Sequence, residues 1–151
     1  MPTPLTILVA EDDDDDFFFT ARVLRHFENA KIIRVESGRA AIDYLAGNIT
    51  DINGAASPLP DLMLLDLKMD DVDGHEVLSW IRDNHLNHPL RVFVLTGSGE
   101  LRDRERVKAS GVAVGYFVKP LGPEHLATIF ESHDLSRVEE KPETQPKGVR
   151  R

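Results

Sequence analysis

Five short apolar runs, each followed by a segment with helical spacing, constrain this chain more than any other feature. LTILVA at 5–10 is apolar and partly β-branched, as a buried strand requires. KIIRVE at 31–36, DLMLLD at 61–66, LRVFVLT at 90–96 and AVGYFVK at 113–119 follow the same rule. Between them the period changes. Residues 15–28 place Phe17, Ala21, Leu24 and Phe27 on one helical face, with acids at the start that suit the helix dipole. Residues 39–46 do so with Ala41, Ile42 and Leu45, and 74–82 with Val77, Leu78 and Ile81. Residues 100–109 and 123–132 complete the series. Ser37-Gly38 and Ser110-Gly111 are breaks, and Gly47 fits just beyond a helix end. Strands that alternate with helices join through right-handed crossovers. The predicted fold is therefore α/β, a doubly wound five-stranded parallel sheet with helices on both faces.

A chain of 151 residues is one domain with little left over. At 41% hydrophobic it can fill a core and is too apolar for a disordered chain. The predicted domain covers 1–133. Residues 134–151 are polar, carry two prolines and read as a tail, either flexible or dimer-mediating. NITDINGAASPLP at 48–60 is rich in turn formers and is predicted as a long surface loop. With no cysteine, disulfides, thiol nucleophiles and cysteine-ligated metals are excluded, and a reducing cytoplasmic setting is expected. A net charge of −8 disfavours nucleic acid and acidic membrane surfaces as partners. No apolar run approaches the roughly 20 residues of a membrane helix, and the first residues do not read as a signal peptide.

The polar residues fall where an open parallel sheet binds ligands, beyond the carboxyl ends of its strands. The first strand runs into Glu11 and Asp12. The third ends at Asp66, the fourth at Thr96 and the fifth at Lys119. Three carboxylates do not share a site without a cation, and hard oxygen donors of this kind suit Mg²⁺. A carboxylate beside Mg²⁺ can act as a nucleophile and form an aspartyl phosphate. A lysine and a hydroxyl opposite would neutralise and hydrogen-bond the phosphoryl oxygens. The constellation reads as a phosphoryl acceptor.

At this point the chain closely resembles the receiver domain of two-component response regulators. The resemblance rests on ILVAEDD at 7–13, PDLMLLDLKMDDVDG at 60–74, VFVLTGSG at 92–99 and GYFVKP at 115–120, in that order over about 5–132. It implies a flavodoxin-like fold with strand order 2-1-3-4-5. It implies that Glu11 and Asp12 hold Mg²⁺, with Asp66 and the backbone carbonyl of Lys68, and that Asp66 is phosphorylated. Thr96 and Tyr116 fall on switch positions, and Lys119 falls on the lysine that contacts the phosphoryl group. Lys119-Pro120 is implied to be cis. The implied partners are a sensor histidine kinase or phosphotransfer protein, docking near 15–28, and a downstream protein meeting 100–116 and the last helix. A homodimer through the tail is a further expectation. Two residues depart from the pattern: Lys68 stands where a small polar residue is common, and Asp70 where proline is. The long 48–60 loop resembles stand-alone regulators paired with phytochrome-type kinases.

Other readings compete at single residues. Asp14–Asp16 are expected to be a solvated, helix-capping run. Phe17, Phe18 and Phe19 are mostly core, with one on a partner surface. MDDVDG at 69–74 fails the calcium-loop spacing at Met69 and Trp80. His85 and His88 read as surface residues, and His26, His75, His125 and His133 as unpaired. Gly97 and Gly99 lack the Lys-Ser/Thr that a P-loop needs. Two alternative functions remain. One is a receiver-like scaffold that is never phosphorylated. The other is a Mg²⁺-dependent aspartyl phosphohydrolase, which Lys68 opposes because an aspartate general acid belongs two residues after the nucleophile.

Overall fold

The structure is a computed structural model that describes residues 5–50, 53–55, 57–84, 86 and 89–132. Along the chain it runs β1 (Leu5–Ala10), α1 (Asp14–Leu24), β2 (Ala30–Val35), α2 (Gly38–Leu45), β3 (Leu62–Leu65), α3 (Gly74–Asn84), β4 (Arg91–Thr96), α4 (Leu101–Ser110), β5 (Ala113–Val118) and α5 (Pro123–Ser132). The strands form one parallel sheet in the order β2-β1-β3-β4-β5, as expected.

Side chains alternate across a strand, so a sheet covered on both faces needs apolar residues at every position. That is why β1, β3 and most of β4 are continuous apolar runs. Leu5, Ile7 and Val9 of β1 join Leu62 and Leu64 of β3 in a core closed by Leu24, Phe27, Leu126 and Ile129, on the α1–α5 side. Leu8 and Ala10 join Met63, Leu65, Val92 and Val94 in a second core closed by Ile42, Leu45, Val77, Leu78 and Val107, on the side of α2, α3 and α4. The edge strand β2 is only partly buried along most of its length.

Local chemistry sets the boundaries. Asp13 caps α1 by accepting the amide of Asp16 at 2.9 Å. Ser37 caps α2 by accepting the amide of Ala40 at 3.0 Å. Gly111 closes α4 at φ 73°, a left-handed conformation that favours glycine. Helix α1 is shorter than its periodicity suggests. It stops at Leu24, and Phe27 reaches the core from the turn that follows, where its amide bonds the carbonyl of Leu24 at 3.0 Å. Strand β2 is shifted one residue toward the N-terminus of the predicted span, while α5 matches its predicted bounds. The described parts of the 48–60 loop are tied down by Tyr44, whose hydroxyl donates to the carbonyl of Pro58 at 2.7 Å. Residues 133–151, including His133 and the predicted tail, lie outside the described residues, as do His85 and His88.

Candidate functional site

All five strands point the same way, so their carboxyl ends share one edge. Backbone bonds carry three of them one residue further. Glu11 donates to the carbonyl of Val35 at 3.0 Å, Asp66 to that of Ala10 at 3.2 Å and Lys119 to that of Thr96 at 2.8 Å. The side chains of Glu11, Asp66 and Lys119 thereby meet beyond β1, β3 and β5. Lys119 Nζ lies 2.7 Å from Glu11 Oε1 and 2.9 Å from Asp66 Oδ2. Glu11 and Asp66 are buried, while Asp12 is exposed. One carboxylate oxygen from each of Glu11, Asp12 and Asp66 falls in a group whose members all lie within 4.8 Å of one another.

Burial moves Glu11 from 4.5 to about 7, against the opposing pull of its bond to Lys119 and of the Asp13 amide. Burial also works against the charge of Lys119. Its bonds to Asp16, Glu11 and Asp66 outweigh that and hold the ammonium above the usual lysine range. A buried carboxylate that titrates near neutrality beside two others suits a divalent cation, which would replace its proton. Three hard oxygen donors also fit Mg²⁺, which keeps several waters and needs few protein ligands.

The second layer orients these groups. The Asp13 amide donates to Glu11 Oε2 at 3.2 Å, and the Lys68 amide to Asp66 Oδ1 at 3.3 Å. The side chain of Lys68 is exposed. Gly74 packs under Asp66, where a Cβ would sit 2.5 Å from its carbonyl oxygen. Lys119-Pro120 is cis. Thr96 is fully buried, and its hydroxyl oxygen accepts the Ser98 amide at 3.5 Å. Tyr116 lies across the loop from it, donating to the carbonyl of Ser98 at 2.7 Å, with the Arg104 guanidinium 4.6 Å above its ring centroid.

Several residues behave differently from their sequence reading. Asp16 is no solvated cap, because its Oδ2 lies 2.8 Å from Lys119 Nζ. Asp14 and Asp15 are exposed, and Asp14 pairs with Arg34 at 2.8 Å. Phe18 and Phe19 are both about half exposed (55% and 52%), so two of the three phenylalanines leave the core, not one. Phe17 lies under Arg34, which also donates to the carbonyl of Glu11 at 3.0 Å. His75 is not unpaired. It is buried on α3, with Nε2 3.3 Å from Asp103 Oδ1. Asp103 in turn accepts the Ser98 hydroxyl at 2.6 Å. His125 accepts the Gly122 amide at 3.0 Å and stacks on Phe117. No short-range sequence signal marks the His75–Asp103 pair, since its members sit on different helices.

The family model of the response regulator receiver domain matches residues 7–131. The chain belongs to this family. A curated relative, the probable methanogenesis regulatory protein FilR2 of Methanothrix harundinacea, is 35% identical over 132 residues, covering 85% of this chain and 80% of that one. Among solved structures, the bacteriophytochrome response regulator AtBRR aligns with TM-score 0.70 at 30% identity, over 86% of this chain and 92% of that one. The Mn²⁺-bound form of response regulator Rcp1 aligns with TM-score 0.69 at 29% identity, over 91% of this receiver and 99% of its own length. Receivers as a family are signalling proteins that interact with histidine kinases or phosphotransfer proteins and bind Mg²⁺ at an acidic pocket. The likeness to AtBRR accords with the resemblance to phytochrome-associated regulators.

Proposed function

We propose that this receiver is a phosphorylation switch whose acceptor is Asp66. The observation that carries the reading is the convergence of Lys119 on Asp66 and Glu11 at the edge where the three-carboxylate group lies. A carboxylate oxygen of Asp66 attacks the phosphorus of a phosphohistidine on a sensor kinase or phosphotransfer protein. The P–O bond forms as the P–N bond breaks, and the electron pair and a proton end on the leaving imidazole. Mg²⁺, held by Glu11, Asp12, Asp66 and the Lys68 carbonyl, would supply charge neutralisation for the transferring group. Lys119 donates to the phosphoryl oxygens as charge builds on them.

The product adds about −1.5 to −2 charge at the sheet edge. Thr96 gives up its long contact with Ser98 and turns its hydroxyl toward that charge. Because Tyr116 hangs on the carbonyl of Ser98, movement of this loop is transmitted to the α4–β5 face. That face then binds a downstream protein differently in the two states. The kinase docks on α1, where Phe18 and Phe19 are exposed and Phe19, Val23, Pro120 and Leu121 line a cleft of about 330 Å³. The exposed Lys68 in place of a general acid argues against hydrolytic turnover. Among the described residues no helix is long and apolar enough to cross a membrane. A homodimer formed through residues after 132 is a separate proposal.

The test is intact mass after incubation with acetyl phosphate and Mg²⁺, beside Asp66→Asn. One added phosphoryl group, absent from the variant and without Mg²⁺, is the expected result. No adduct on the folded wild type, together with no binding of beryllofluoride, would leave a scaffold that never carries phosphate.

A further inference from the structure

Lys119 has one carboxylate more than the phosphoacceptor reading uses. An ammonium carries three N–H donors. Here it meets three oxygens, Glu11 Oε1 at 2.7 Å, Asp16 Oδ2 at 2.8 Å and Asp66 Oδ2 at 2.9 Å, and is saturated. Glu11 and Asp66 belong to the group that could hold a metal, together with Asp12, and Asp16 does not. Asp16 sits in the first turn of α1, and its side chain is 43% exposed. The helix start does not depend on its carboxylate, because the cap is the side chain of Asp13.

A phosphoryl group on Asp66 brings three further acceptor oxygens and nearly two negative charges. It gains a donor from Lys119 only when a carboxylate releases one. Glu11 and Asp66 are buried, and each accepts a backbone amide through its other oxygen, from Asp13 and Lys68. Asp16 is the partner that can swing into water. It also places a like charge beside the incoming dianion.

We propose that Asp16 is a positioning residue that gates Lys119, holding the ammonium toward α1 in the resting protein and competing with the phosphoryl group for it. The inference rests on the acceptor role of Asp66. Removing one charge from a half-exposed rim is expected to change the phosphorylation rate by about three- to tenfold.

The sign of this change makes it testable, since a merely structural defect slows phosphorylation and does not speed it. Wild type, Asp16→Asn, Asp16→Glu and Asp66→Asn are incubated with acetyl phosphate and Mg²⁺, and adduct formation is followed by intact mass. Thermal melts verify that each variant is folded. A second readout needs no metal: acetylation of Lys119 by an amine-reactive ester, followed by peptide mass in the presence of chelator. The expected result is faster adduct formation and faster Lys119 labelling in Asp16→Asn, with wild-type behaviour restored in Asp16→Glu. Asp16→Asn labelling at or below the wild-type rate in either assay overturns the gate, while the adduct on wild type keeps the acceptor reading intact. No adduct on wild type overturns the acceptor reading and the gate with it.

Discussion

Glu11→Gln is expected to stabilise the metal-free protein at alkaline pH, although it removes a charge from an ion pair. Glu11 is 2% exposed, so its energetics are little screened by water. Burial moves it from 4.5 to about 7. A carboxylate whose folded value lies above its unfolded value binds more protons in the folded state. Stability therefore falls as the pH rises from 4.5 through 7 and stays low above that. At 1.36 kcal/mol for each pKa unit, the loss is about 3 kcal/mol. Gln is neutral throughout and keeps an oxygen for Lys119 Nζ, so it escapes this loss. Its amide nitrogen cannot accept from the Asp13 amide, which now bonds Oε2, and that costs about 1 kcal/mol. The balance is a gain of about 2 kcal/mol, or about 4–8 °C in melting temperature. The assay is a set of thermal melts in chelator at about pH 5 and about pH 8. The variant should melt with or below the wild type at the lower pH and above it at the higher. Saturating Mg²⁺ should then favour the wild type, because only Glu11 exchanges its proton for the cation. A variant that melts at or below the wild type in chelator at the higher pH would refute the claim that burial governs Glu11.

Three further outcomes follow from other parts of the molecule. Phe18→Ser with Phe19→Ser should leave stability within about 1 kcal/mol, since both rings are half exposed, yet slow phosphotransfer from the cognate kinase and spare labelling by acetyl phosphate. Equal loss with both donors would place the defect in the acceptor site instead. Asp103 is held below its ordinary 3.8, first by the Ser98 hydroxyl and then by His75. Its contribution is thus present above pH 3.8 and lost as the pH falls through its lower folded value, so Asp103→Asn should cost about 1–2 kcal/mol near neutrality and nothing in strong acid, measured by urea titration. Gly74→Ala would drive a Cβ to 2.5 Å from the Asp66 carbonyl oxygen, and should cost about 2 kcal/mol and slow Asp66 labelling, read by melts and intact mass. An unaltered labelling rate would show that the acceptor is not held by this contact.

The fold was legible because the sheet is buried on both faces. Stretches such as LMLL and VFVL are continuous apolar runs, and each ended abruptly in a charged or hydroxyl residue. Parallel strands put those ends together, which is why Glu11, Asp66, Thr96 and Lys119 could be gathered from distant parts of the sequence. Boundaries were less legible where burial outlives the helix. Phe27 keeps the period of α1 although the backbone has already turned, so the period overstated the helix. Asp16 was hidden for a different reason. In a run of five aspartates, composition points to solvent, and only the reach of Lys119, just beyond β5, to the first turn of α1 brings Asp16 into the site. The Ser98–Asp103–His75 chain was equally silent, because it depends on how α3 and α4 pack and not on local spacing.

The dependence of the site on its last strand has a consequence for how such a protein is made. Glu11, Asp12 and Asp66 all emerge from the ribosome before β5 does. Until β5 pairs with β4, the incipient sheet gathers carboxylates with no ammonium among them. An early fragment can collapse and bury most of its apolar strands, yet it lacks Lys119 to pair with Glu11 and Asp66. The cation of the site therefore arrives late and all at once, when β5 pairs with β4, and until then the gathered carboxylates only repel one another.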